Sequence, residues 1–100
     1  MFLTAPSTAT ALKPFNVTVT LKDRFGNVAT GYVGTVHFSS SDLLATLPAD
    51  YTFKGTDAGT HVFSVTLATP LAQRLSVNDT ANTSLGTSSM ITVTVAVPGL

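Results

Sequence analysis

The sequence predicts an all-β fold, an antiparallel β-sandwich of about seven strands, on three observations. Thr contributes 18 of the 100 residues, Val 11 and Ile one, and side chains branched at Cβ suit the pleated surface of a sheet. Short runs of alternating polar and apolar residues recur, separated by turn signals at a spacing of roughly 8–12 residues. No run has the helical period, and Glu, a good helix former, is absent. A small barrel is the alternative architecture.

Period-two alternation places the strands along the chain. In "FNVTVTL" the apolar side chains of Phe15, Val17, Val19 and Leu21 fall on one face. A short apolar segment covers 43–47 and ends at Pro48. At the start of the chain, "FLTAP" predicts a first strand at the edge of a sheet. The strands predicted from this alternation are 15–21, 33–38, 51–54, 60–67, 74–78 and 90–97, and Pro98-Gly99 reads as a chain exit. We expect the first and last strands to be sheet edges, where pairing with neighbours occurs.

The phase of each strand assigns its side chains to the core or to solvent. Phe15, Phe38 and Phe63 lie in phase with buried valines and are predicted to be core residues. His37 is out of phase with its apolar neighbours and should face solvent, whereas His61 should lie at the edge of the core. We interpret both histidines as ordinary strand residues, because two of them without a third ligand make a weak zinc site.

Composition limits the function more than it defines it. The length of 100 residues fits a single domain, 1–100, and the apolar fraction of 44% suffices for a core. Five Asp residues balance five Lys and Arg residues, so the charge predicts neither a nucleic-acid partner nor an anionic membrane surface. Cys is absent, and no run approaches the length of a membrane span. The N-terminus does not read as a signal peptide, so export would need a signal elsewhere in a longer protein.

The segment "DRFGN" at 23–27 can be interpreted as a turn or as a calcium site. Gly26 can take a positive φ, and the side chains of Asp23 and Asn27 can cap local backbone, which favours a structural turn. Asp57 and Gly59 form a second turn of the same kind in "GTDAG". Calcium is the alternative cofactor, with Asp23, Asn27 and Asp79 as candidate ligands, but several carboxylates together would be expected. We favour turns, and predict no cofactor.

Exposed aromatic side chains would be the contacts of a binding module. Phe25, Tyr32 and Tyr51 are the candidates for contact with a glycan or a receptor. Phe25 is alternatively a plug over the end of the core or a contact with a neighbouring domain. No Trp is present, which makes a flat aromatic platform for sugars a poor prediction.

The sequence gives little support to either of two covalent chemistries. The nine Ser residues lack a G-x-S-x-G context, so the sequence predicts no enzyme. An intramolecular isopeptide link would need a buried Lys beside an Asn or Asp, and Lys22 with Asn78 or Asp79 is the pairing that the sequence offers.

Three blocks resemble a known family: "FNVTVTLKDRFGNVATGYVGTVHFSSSD", "LPADYTF" and "DAGTHVFSVTL". They are similar to bacterial immunoglobulin-like tandem repeats of large surface or secreted proteins, related to invasin/intimin-type repeats and more loosely to filamin repeats. The resemblance extends from about Phe15 to Val97, and the block 23–38 is its most specific part. The chain departs from the family pattern at Leu12-Lys13 and at Pro70-Leu71-Ala72, both in connections between strands.

The resemblance implies an immunoglobulin-like domain, one repeat unit of a longer protein. It also implies a structural spacer or stalk in a bacterial cell-surface or secreted multidomain protein, such as an adhesin, without catalytic residues. Neighbouring repeats of the same chain would be its partners, and its location would be extracellular. The alternative is an adhesive module that binds a glycan or a host receptor. Because fold does not determine function, both are expectations by analogy.

Overall fold

The computed structural model describes residues 1–23 and 25–95. It is all-β, as predicted, with eight strands and one 3-10 helix in the described part of the chain. The strands are β1 (Phe2–Thr4), β2 (Thr8–Thr10), β3 (Phe15–Thr20), β4 (Thr35–Ser40), β5 (Tyr51–Thr52), β6 (Thr60–Val65), β7 (Leu71–Asp79) and β8 (Gly86–Thr94). The helix, Gly55–Asp57, lies between β5 and β6.

Three strands form the smaller sheet, in the order β1-β3-β6. Both pairings are antiparallel, and they place Phe2 opposite Thr20 and Val17 opposite Phe63. The predicted first strand from "FLTAP" is therefore present, at an edge of this sheet. The other edge is β6.

Five strands form the larger sheet, in the order β2-β8-β7-β4-β5. All its pairings are antiparallel except that of β2 with β8, which run in the same direction. The Thr92 amide donates to the Ser7 carbonyl at 2.9 Å, and the Ala11 amide donates to the Thr94 carbonyl at 2.8 Å. The N-terminal segment thus belongs to both sheets, first through β1 and then through β2.

The core lies between the sheets and follows the predicted alternation. Val17, Val19 and Leu21 are buried along and just after β3, while Thr18 and Thr20 between them are only partly buried. The thirteen buried apolar residues come from both sheets and their flanks: Val17, Val19, Leu21, Val36, Phe38, Phe53, Phe63, Val65, Leu67, Leu75, Val77, Ile91 and Val93. Phe15 is only half-buried and packs against this cluster.

Strand direction defines two ends of the molecule. At one end, the turn end, lie the connections from β3 to β4, from β5 to β6 and from β7 to β8. At the other, the leucine end, lie 11–14, 41–47 and 66–70. Four exposed leucines occupy this second end, each at least 73% accessible: Leu12, Leu43, Leu44 and Leu71. β1 begins at the turn end, and β8 finishes at the leucine end.

Two expectations about the strands are wrong. The last strand, β8, is not an edge, because it lies between β2 and β7. The predicted strand 90–97 has different bounds, because β8 runs from Gly86 to Thr94, and Val95 after its end is 58% exposed. Val97 and Pro98-Gly99 lie outside the described residues.

The apolar segment 43–47 joins no named strand. It contributes one antiparallel bridge, from Thr46 to Thr66, and its two leading leucines are exposed.

Two leucines of β7 provide a matched test of the core. Leu75 is fully buried, and Leu71, in the same strand, is exposed. We expect Leu75→Ala to lower the free energy of unfolding by about 2–5 kcal/mol, because it opens a cavity between the sheets. Leu71→Ala should change it by no more than about 0.5 kcal/mol. Urea unfolding of both variants measures this, and equal losses would contradict the assignment of the core.

Candidate functional site

The segment "DRFGN" closes a turn that extends β3. The Asp23 carboxylate oxygen Oδ1 accepts hydrogen bonds from the amides of Phe25 at 2.8 Å and Asn27 at 3.0 Å. The Gly26 amide donates to the Asp23 carbonyl, and Gly26 has φ 84°. The hydrogen bond from the Asn27 amide, and then that from the Phe25 amide, lower the pKa of the Asp23 carboxyl. Lys22 and Val28 pair across the turn, so Asp23, Gly26 and Asn27 serve the local backbone.

Phe25 does not plug the core, and that prediction is wrong. Its side chain is 75% exposed at the tip of the turn. The reason is geometric: Leu21 is the last buried residue before the turn, and Val28 after it is already exposed. The tip therefore projects beyond the two sheets.

The half-buried Tyr32 and the buried Asp79 form a hydrogen-bonded pair. The Tyr32 hydroxyl donates to Oδ2 of Asp79, and Oδ1 of Asp79 accepts from the amides of Ala81 and Asn82. Burial and the neighbouring Asp79 carboxylate raise the pKa of the Tyr32 hydroxyl. The pKa of Asp79 is lowered, and the hydrogen bond from the Tyr32 hydroxyl is the main cause. A Cβ at Gly34 would lie 2.5 Å from Asp79 Oδ2, so the pair needs glycine there.

Asp57 organises a second cluster at the same end. It accepts from the Tyr51 hydroxyl at 2.7 Å, from the Lys54 amide at 2.8 Å, and lies 2.9 Å from Nδ1 of His61. The rings of Tyr51 and His61 stack with centroids 4.1 Å apart. The pKa of Asp57 is lowered to about 2, first by the hydrogen bond from the Lys54 amide and then by the Tyr51 hydroxyl and His61. This carboxylate joins β5, the 3-10 helix and β6.

Gly59 completes this turn and cannot carry a side chain. Its φ is 79°, and a Cβ there would lie 2.5 Å from the Ala29 carbonyl oxygen. The Leu21 amide donates to the Gly59 carbonyl at 2.8 Å. Asp57 and Gly59 therefore fix the entry to β6 against the connection that follows β3.

Asp42 is the carboxylate that the sequence analysis missed. It is 4% exposed and accepts from the Ala68 and Thr69 amides, the Thr69 hydroxyl and the Leu44 amide, all at 2.7–2.9 Å. Burial would raise its pKa, but the hydrogen bonds from Thr69, Ala68 and Leu44 outweigh it and lower the pKa to about 2. "SSSD" predicted only the end of a strand, because the partners of Asp42 on Ala68 and Thr69 lie more than 25 residues away in the sequence.

The calcium candidates do not assemble into an acidic group. Asp79 directs its oxygens at Tyr32 and at backbone amides, and Asp23 serves its own turn. Over residues 1–23 and 25–95, no group of three or more His, Cys, Asp or Glu side chains could hold a metal ion.

The two histidines lie in different sheets. His37 is in β4, where its Nδ1 lies 2.6 Å from Oδ1 of Asp50 on the exposed surface. His61 is in β6 and bonds to Asp57. The phase prediction for both is confirmed, because His37 is exposed and His61 half-buried.

The isopeptide pairing is not assembled either. The Lys22 ammonium lies 4.6 Å from the centre of the Phe2 ring, and the Asn78 amide donates to the Thr83 carbonyl at 3.0 Å.

The candidate contact residues Tyr32 and Tyr51 are half-buried, with both hydroxyls bonded to carboxylates. No pocket is found on the described part of the chain. None of its helices has the length and apolar character needed to cross a membrane.

Comparison with known proteins returns no match: no family model, no curated protein and no solved structure is similar to this chain at a significant level. The resemblance to immunoglobulin-like repeats therefore stays a prediction.

The Asp42 hydrogen bonds should stabilise the fold strongly. Asp42→Ala leaves the amides of Ala68, Thr69 and Leu44 without their acceptor, and we expect it to cost about 2–4 kcal/mol of unfolding free energy. Asp50→Ala is the matched control, because Asp50 is exposed and should cost no more than about 0.5 kcal/mol. Urea unfolding at neutral pH measures both, and similar costs would remove Asp42 from this role.

The lowered pKa of Asp42 predicts loss of stability in acid. A carboxylate with a folded pKa of about 2 and an ordinary value of 3.8 contributes stability that is full above the ordinary value and is lost as the pH falls toward 2. We expect the unfolding free energy to fall less steeply over this window in Asp42→Asn than in the unaltered chain. Parallel slopes, measured by urea unfolding at a series of pH values, would show that the carboxylate is not held ionised.

Proposed function

We propose that the chain is a non-catalytic, load-bearing spacer of a bacterial cell-surface or secreted multidomain protein, with an immunoglobulin-like sandwich fold. The fold proposal is supported by the strand order. The sheet β1-β3-β6 corresponds to strands A, B and E of such domains, and β8-β7-β4 corresponds to G, F and C. Residues 1–100 would then form one such domain and one repeat unit.

The observation that carries the spacer proposal is the parallel pairing of β2 with β8. β1 begins at the turn end, and β8 finishes at the leucine end. A force that separates the two termini first loads the pairing of β1 with β3, and after β1 detaches it pulls β2 and β8 in opposite directions along their common axis. Loaded in this way, the hydrogen bonds between the strands share the force, whereas bonds in a peeled hairpin break one after another.

The leucine end supports a neighbouring domain as the partner. Four exposed leucines, Leu12, Leu43, Leu44 and Leu71, gather where β8 finishes. Several exposed apolar side chains at one end of a small domain are consistent with an interaction site there. A neighbouring repeat stacked on this end would cover it.

A mechanical measurement tests the proposal. In single-molecule pulling between the termini, we expect Ala11→Pro to lower the unfolding force, because it removes the amide that donates to the Thr94 carbonyl. Ala49→Pro is the control, since residue 49 is exposed and lies outside every strand.

Leu75→Ala separates mechanical strength from overall stability. That variant weakens the core and leaves the β2–β8 hydrogen bonds in place. We expect it to lose more unfolding free energy than Ala11→Pro but less unfolding force. If force instead follows free energy across the variants, β2–β8 is not the load-bearing contact and the proposal fails.

An adhesive module is the second candidate, and one observation favours it. Phe2 and Phe25 are both exposed and lie at the turn end, where a glycan or a receptor could contact them. A screen of the chain against a glycan panel tests this, with Phe25→Ala as the contact variant and Leu44→Ala as an exposed control at the opposite end. Binding that Phe25→Ala alone removes would favour adhesion over the spacer.

A further inference from the structure

Among the residues that the structure describes, no strand pairs with the outer side of β6, which is therefore an open edge of the three-stranded sheet. Its register pairs Thr60 with Thr20, and the Leu21 amide donates to the Gly59 carbonyl. Since hydrogen bonding alternates along an antiparallel pair, positions 59, 61, 63 and 65 bond to β3. The amides and carbonyls of positions 60, 62 and 64 point away from the sheet.

The hydrogen bonds of Thr66 agree with this assignment, in which even-numbered positions point away from β3. They also show that Thr46 covers the edge at this point. Its amide donates to the Thr46 carbonyl at 3.0 Å, and the Thr46 amide donates back at 2.8 Å. If the pairing of Thr46 with Thr66 continued in the same register, residue 48 would pair with Ser64. Residue 48 is proline and has no amide hydrogen to donate. The chain then leaves β6 and crosses to the other sheet, where Tyr51 pairs with Val36.

The open edge lacks the usual protection against pairing. Natural edge strands are commonly guarded by charged residues, proline or short length. None of the strands β1, β3 and β6 contains Asp, Glu, Lys or Arg, although the chain has ten such residues. The other edges, β1, β2 and β5, are two or three residues long, whereas β6 has six.

The edge of β6 is complementary to itself. In an antiparallel pair of two copies centred on Val62, Val62 faces Val62 of the second copy and Thr60 faces Ser64. The pairing ends at these residues, because Thr66 is already bonded to Thr46. All three side chains are exposed on the outer face of the sheet. Such β-branched and hydroxyl pairs are favourable across strands, and the pairing brings no like charges together.

We propose that β6 is a homodimerisation edge, through which two copies of this chain join their three-stranded sheets into one continuous six-stranded sheet about a two-fold axis at Val62. A symmetric contact of this kind uses the same patch on both copies and closes after two. It is independent of the leucine end and of the spacer proposal.

Amide exchange of the unaltered chain is the first test. At low protein concentration the amides of Val62 and Ser64 should exchange quickly, while that of Phe63, bonded to β3, stays protected. At high concentration Val62 and Ser64 should gain protection together with the appearance of a dimer in sedimentation. A chain that stays monomeric, or a dimer in which these two amides stay unprotected, overturns the proposal.

Substitution at the two-fold axis is the second test. Val62→Lys places two ammonium groups opposite each other, and we expect the dimer dissociation constant to rise roughly tenfold or more. Val33→Lys is the matched control, because Val33 is 61% exposed against 54% for Val62 and lies outside the strands. A thermal melt shows whether each variant folds, and equal weakening by both would contradict the assigned edge.

Cross-linking locates the axis directly. The chain has no Cys, so Val62→Cys introduces a single thiol. Directly opposed hydrogen-bonded residues have Cα atoms about 5.5 Å apart, a separation that a disulfide spans. Under mild oxidation, Val62→Cys should form a covalent dimer faster than Val33→Cys, and equal rates would place Val62 away from the axis.

Discussion

The burial of valine, leucine and phenylalanine side chains between two sheets is the constraint on which the rest of this structure depends. Each buried strand supplies every second side chain to this layer, as β3 does with Val17 and Val19. A shift of one residue in any strand would turn its apolar side chains toward solvent. The alternation along the chain therefore fixes how each strand faces, and threonine covers much of the outside without weakening strand propensity.

Once the sheets are packed, the aspartates hold the connections. Asp42 joins the loop after β4 to the connection between β6 and β7. At the turn end, Asp57 and Asp79 likewise hydrogen-bond to residues of other segments, Tyr51 and Tyr32. An ionised carboxylate accepts several amide hydrogen bonds at once, which suits loops whose backbone groups have no strand partner. With five acidic residues in all, the fold uses its carboxylates chiefly as acceptors for its own loops.

Local sequence patterns predicted the local structure of this chain, but they did not predict contacts between residues that are far apart in the sequence. The alternation in "THVFSVTL" located β6 and its buried face, and "DRFGN" was correctly placed between strands, because both depend on neighbouring residues. The division of the N-terminal segment between the sheets was not predicted, since it depends on β8, more than 80 residues away. Asp42 was missed for the same reason, and Phe25 was misplaced because sequence phase does not show how far a turn projects.

The pairing of β2 with β8 also sets the order in which the fold can be completed. These strands lie near opposite ends of the chain, and closing so long a loop costs more entropy than forming a neighbouring hairpin. Folds rich in such distant pairings form slowly. During synthesis the larger sheet must wait for its last strand to emerge, and until then β2 has no partner and the core lies open along β7.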